Sequence, residues 1–101
     1  MNLYELCKEV MTKGPAVIRA AVVLSDGTYD IYTRKLTDKE IESHSEDKRQ
    51  KYNAVMLDAY TASMVVAIYE ALGDKNKKNF LSTEPLKAIE LGWKLYNKLK
   101  K

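Results

Sequence analysis

From Ala54 to Leu72 the chain is almost continuously apolar, with Asp58 as the one early carboxylate. On a helix of 3.6 residues per turn, Val55, Met56, Leu57, Met64, Val65, Val66, Ile68 and Leu72 leave no continuous polar stripe, the pattern of a helix covered on most of its faces. Ahead of it, Glu42 to Lys51 places acids before bases, the order a helix macrodipole favours. The spacing therefore predicts one long helix from near Ser45 to Leu72, stopped by Gly73 and about 40 Å long at 1.5 Å per residue. Asp58, Thr61, Ser63 and Glu70 fall within the apolar run, and a carboxylate near a bilayer centre is costly, so the run reads as protein core rather than a membrane span.

The N-terminal pattern is a shorter amphipathic helix. Asn2 and Glu5 form a capping-box pair, Leu3, Leu6, Cys7 and Val10 recur on one face, and Gly14-Pro15 ends the helix near residue 13. Ala16 to Leu24 and Thr28 to Leu36 are β-branched and aromatic runs joined by Asp26-Gly27, a dipeptide suited to a two-residue hairpin turn. That turn sets Leu24 opposite Tyr29, Val22 opposite Ile31 and Ala20 opposite Thr33 on the core side. The other side then carries Arg19 directly opposite Arg34, with Tyr32, Asp30 and Leu36 nearby. Two opposed arginines are unfavourable unless an anion or a carboxylate lies between them.

Thr37 and Glu40 form a second capping box, with Leu36 and Ile41 spaced as a hydrophobic staple, and predict a short helical turn. Asp74 to Asn79 reads as a charged connector. Ser82 then caps a final helix in which Leu86, Ile89, Trp93 and Tyr96 share one face and Pro85 sits in the first turn. The expectation is one α+β domain over residues 1–101: N-terminal helix, β-hairpin, short helical turn, long buried helix and C-terminal helix, with the helices packed on one face of the hairpin. A two-stranded hairpin is marginal alone, and a helix apolar all round needs more cover than so small a sheet offers, so a homo-oligomer is expected, most simply a dimer.

Composition narrows the functional classes. Cys7 is the single cysteine of 101 residues, which excludes an internal disulfide, and its apolar helical face suits a buried thiol. Glu5, Lys8 and Glu9 interrupt the first apolar residues, so no signal-peptide pattern is present and a cytoplasmic location follows. The net charge of +3 is unevenly spread: residues 37–74 are acidic, whereas Lys75, Lys77, Lys78, Lys87, Lys94, Lys98, Lys100 and Lys101 face only Glu84 and Glu90. His44, the one histidine, lies near Glu42, Glu46 and Asp47 without the spacing of a zinc or calcium site, so no metal or cofactor is expected. No glycine-rich phosphate loop or nucleophile elbow occurs, and an enzyme is not expected.

The candidate ligand-binding residues are Arg19, Tyr32, Arg34 and Asp58. Arginine forks suit phosphate or carboxylate, and Asp58, if desolvated on the long helix, needs a cation or hydroxyl partner. Asp30 and Asp58 are the acids that could neutralise the arginines internally. These features point to a small non-catalytic regulatory or inhibitory module that binds another protein or a small anionic ligand. The alternative is a nucleic-acid binder that uses the lysine-rich C-terminal segment.

Overall fold

The computed structural model describes residues 1–44 and 48–99. The order of elements is α1 (Leu3–Lys13), β1 (Ala16–Val23), β2 (Tyr29–Tyr32), α2 (Asp38–Ser43), β3 (Arg49–Leu57), α3 (Ala59–Ala71), α4 (Asp74–Leu81) and α5 (Pro85–Leu99). The fold is α+β: the three strands form one antiparallel sheet in the order β2-β1-β3, with helices packed against it.

The first helix follows its sequence. Asn2 Oδ1 accepts from the Glu5 amide at 2.9 Å, the Asn2 amide donates to Glu5 Oε1 at 3.2 Å, and Leu3, Leu6, Cys7 and Val10 are buried. Cys7 is wholly buried, and its burial pushes the thiol up to about 12, which keeps it protonated and unreactive at neutral pH.

The hairpin departs from the expected register by one residue. The loop holds Ser25, Asp26 and Gly27: the Leu24 amide donates to the Thr28 carbonyl at 2.8 Å, and the Gly27 amide donates to the Leu24 carbonyl at 3.0 Å. Gly27 takes φ +89°, the left-handed position that closes a three-residue hairpin loop, and Asp26 Oδ1 accepts from the Thr28 amide at 2.9 Å. The extra loop residue sets Ala21 opposite Ile31 and Ala20 opposite Tyr32. Pairing stops at Tyr32, so Arg34 leaves the sheet and never stands across from Arg19.

The long central helix is the larger correction. Residues 49–57 are a strand on the second edge of β1, α3 begins only at Ala59, and the expected start at Ser45 lies outside the described residues. The cause is tertiary. Apart from Arg19, Ala16–Val23 is apolar on both faces, so β1 is a central strand whose free edge must be paired, and that demand overrides the helical periodicity of 54–57. Asp58 is accordingly not a buried mid-helix acid. It is the exposed N-cap of α3, its carboxylate accepting from the Thr61 amide at 2.7 Å, and that bond holds it below its ordinary range. On α3 the outer positions Ala59, Tyr60, Ser63, Ala67, Glu70 and Ala71 are exposed, so the helix is one-sided rather than covered all round.

The β1–β3 pairing contains a bulge. Ile18 pairs with Val55 and Ala20 with Lys51, which leaves Tyr52, Asn53 and Ala54 opposite Arg19 alone. Ile18 and Ala21, three residues apart, both enter the main core, a spacing that a regular pleat does not allow. Ala54 carries the bend at φ +51°. The helices supply Leu6, Cys7, Val10, Val65, Ile68, Phe80 and Ala88 to the same core.

Residues 74–81 form α4 rather than a connector, and Phe80 is buried. The N-terminus of α5 is served by Glu84 instead of Ser82: its carboxylate accepts from the Leu86 and Lys87 amides at 3.2 and 3.3 Å, while Ser82 Oγ donates back to the Lys78 carbonyl. Among the described residues no helix is long and apolar enough to cross a membrane.

Two stability predictions follow from these positions. Replacing exposed Ala54 with glycine removes the left-handed penalty and raises unfolding free energy by about 1 kcal/mol in urea titration. Asp58→Ala removes the α3 cap and lowers it by about 1 kcal/mol in the same assay, whereas a buried ion-paired acid at this position would cost several-fold more.

Candidate functional site

Opposite the main core, a cleft of about 350 Å³ opens between the sheet and the chain leaving β2. Five cationic side chains line it: Arg19, Arg34, Lys35, Arg49 and Lys51. Leu36, Ile41 and Ala20 form apolar parts of the wall, with Tyr52 and Asn53 from the bulge. Each contribution has a local cause. The bulge breaks the alternation of β1, so that sequence neighbours Arg19 and Ala20 border the same hollow. Arg49 faces Val22 in the β1–β3 register and is only 9% exposed, while Lys51 pairs with Ala20 two positions along.

Arg34 is tied to the short helix. Its Nη1 and Nη2 donate to Glu40 Oε1 and Oε2 at 2.8 and 3.0 Å, and its guanidinium carbon lies 5.5 Å from the Tyr32 ring centre. Glu40 also closes the α2 capping box, accepting from the Thr37 amide at 3.1 Å and the Thr37 hydroxyl at 2.9 Å. The Arg34 hydrogen bonds, followed by those from Thr37, hold Glu40 down to about 2 from an ordinary 4.5. One carboxylate thus fastens the exit from β2 to the start of α2, and Leu36 and Ile41 are carried to the cleft between these anchors.

The four residues singled out from sequence separate. Arg19 and Arg34 line the cleft, Tyr32 stacks against Arg34 just outside its lining, and Asp58 caps α3 away from it. Burial, followed by the nearby Asp30 charge, pushes the Tyr32 hydroxyl up. The proposed internal neutralisation changes partner: Glu40 engages Arg34, while Asp30 pairs with the N-terminal amine of Met1. Among the described residues, none makes an ion pair or hydrogen bond with the side-chain cations of Arg19, Lys35 or Lys51, although the Lys35 carbonyl accepts from Arg34 Nη1 at 3.2 Å.

Sequence reasoning missed Lys35, Arg49, Lys51 and Tyr52, because three of them lie on the strand read as helix. The available signal was Ala16–Val23 itself, whose two apolar faces called for a second strand partner. Tyr52 also links the site to the helical layer: its hydroxyl donates to the Glu84 carboxylate that caps α5, and burial followed by that contact pushes the phenol up.

Of the lysines of the alternative reading, Lys75, Lys77, Lys78, Lys87, Lys94 and Lys98 spread over α4 and α5, where Lys77 lies over the Tyr69 ring at 5.5 Å, and Lys100 and Lys101 lie outside the described residues. Another hollow, of about 280 Å³, is bordered by Leu72, Phe80, Leu91 and Leu95, with Asn76, Asn79 and Thr83 as its polar groups. Among the described residues no cluster of three or more His, Cys, Asp or Glu side chains could hold a metal ion. No protein-family model matches this sequence, and neither the curated proteins nor the solved structures contain a significant match.

The Glu40 anchor gives a pH prediction. Because the fold lowers its pKa from 4.5 to about 2, the stability it contributes is complete above pH 4.5 and is lost as pH falls toward 2. Thermal midpoints measured from pH 6 to pH 2 will fall less steeply below about pH 4.5 in Glu40→Gln than in the parent protein, since the variant lacks this titration.

Proposed function

We propose that this protein is a small binding module, acting without catalysis of its own, and that the cationic cleft receives an anionic group from a small ligand or from a partner protein. The observation that carries the reading is the gathering of Arg19, Lys35, Arg49 and Lys51 beside Arg34 in one hollow whose described lining includes no carboxylate. Like charges placed together on a small sheet repel one another, and an anion seated among them relieves that repulsion. The remaining polar lining includes Asn53, whose neutral amide is suited to orienting a ligand.

A regulatory or inhibitory role in the cytoplasm fits a module of this size, and a homo-oligomer belongs to the same reading. Met56 and Tyr60, 67% and 66% exposed at the turn from β3 into α3, support a contact between copies there. Inhibition of another protein would use the cleft to receive an acidic side chain.

The test is an amide-resolved NMR titration with citrate at low salt. Shifts concentrated at residues 19–20, 34–36 and 49–53, with affinity falling at least ten-fold in Arg19→Ala/Lys51→Ala, support the reading. Shifts confined to α4 and α5, or an unaffected double variant, overturn it. Binding of duplex DNA through α4 and α5 with steep salt dependence would establish the nucleic-acid alternative instead.

A further inference from the structure

We infer that the cleft is built for an organic phosphate monoester, a dianionic phosphate carried on a compact apolar or aromatic body. The inference rests on the anion-binding reading and specifies its ligand class. Two properties of the cleft decide it: the amount of positive charge and the arrangement of the apolar wall.

Charge comes first. Arg34 is engaged by Glu40 in a two-pronged pair, but the side chains of Arg19, Lys35 and Lys51 have no such carboxylate among the described residues. A carboxylate brings a single negative charge to this group. A phosphate monoester carries about −1.5 to −2 at neutral pH and three acceptor oxygens, so it meets several donors at once and offsets more of their mutual repulsion. Guanidinium groups add a planar fork that matches two phosphate oxygens, and the lysines act as point charges beside them.

The apolar wall then separates an organic phosphate from the bare ion. Leu36 and Ile41 flank the first turn of α2, Ile41 remains 42% exposed at the cleft, and Ala20 and Tyr52 border the same space. A hollow of about 350 Å³ is larger than inorganic phosphate requires and lies at the lower end of the range for small organic ligands. Covering Ile41 and Leu36 with a ring or short aliphatic body gains burial energy that the free ion cannot supply. The Arg34–Glu40 fastening holds this wall in place before the ligand arrives, which reduces the ordering cost of binding.

The experiment is calorimetric titration at pH 7.5 with phenyl phosphate, inorganic phosphate and benzoate. Phenyl phosphate is expected to bind at least ten-fold more tightly than either of the others. Lowering the pH to 5, where the monoester takes up a proton, should weaken phenyl phosphate several-fold and leave benzoate nearly unchanged. Ile41→Ser, a substitution at an exposed site, should bring phenyl phosphate close to inorganic phosphate while inorganic phosphate itself keeps its affinity. Equal binding of benzoate and phenyl phosphate within the cleft would overturn the phosphate assignment and leave anion binding standing. If inorganic phosphate matched phenyl phosphate in the parent protein, the apolar wall would have no role and the inference would fail. Absence of binding by all three probes, and by citrate, would remove both the inference and the function on which it rests.

Discussion

Hydrogen bonding along both edges of β1 is the constraint on which the remaining structure depends. An eight-residue strand with apolar side chains on both faces cannot leave a row of amides and carbonyls unpaired beside the core. β2 satisfies one edge through a tight local loop, and β3 satisfies the other from further along the chain. Recruiting residues 49–57 for that purpose determines where α3 begins, makes Asp58 a cap and carries Arg49 and Lys51 to the face away from the main core.

The bulge connects this constraint to the candidate site. An uninterrupted β1–β3 ladder would send Arg19 and Ala20 to opposite faces. With Tyr52, Asn53 and Ala54 set against Arg19, the two residues border one hollow, and Ile18 and Ala21 both reach the core. The left-handed Ala54 costs about 1–2 kcal/mol, a modest strain that the pairing on either side sustains. On the far wall, Glu40 closes the helix cap and grips Arg34 with the same carboxylate, so the apolar Leu36 and Ile41 are held where the cations converge. The site is consequently a product of the sheet's irregularities rather than of any one helix.

Local signals were legible in the sequence and long-range ones were not. Asn2 with Glu5, Thr37 with Glu40 and the face of Leu3, Leu6, Cys7 and Val10 depend on neighbours within a turn, and each appears in the structure as read. Asp26-Gly27 marked the hairpin but not its loop length, because Gly27 serves a three-residue loop as readily as a two-residue one, and that choice moved the register by one. The stretch 54–57 satisfies helical periodicity, and only the unmet edge of β1 distinguishes strand from helix there. Of the site, Arg19 and Arg34 were legible as unusual charges on strand-forming segments. Lys35 was overlooked, while Arg49 and Lys51 were hidden by the helix reading. Asp58 was misplaced because capping and burial look alike when a helix start is assigned too early.

Whether residues 49–57 are the second partner of β1 is therefore the most direct question, and backbone NMR of the isotopically labelled protein answers it. The account predicts interstrand nuclear Overhauser effects linking Val17 to Met56 and Ala21 to Gln50, with slow amide exchange for paired groups of both strands. A run of helical contacts between residues three apart through 49–57, with no cross-peaks to β1, would contradict it.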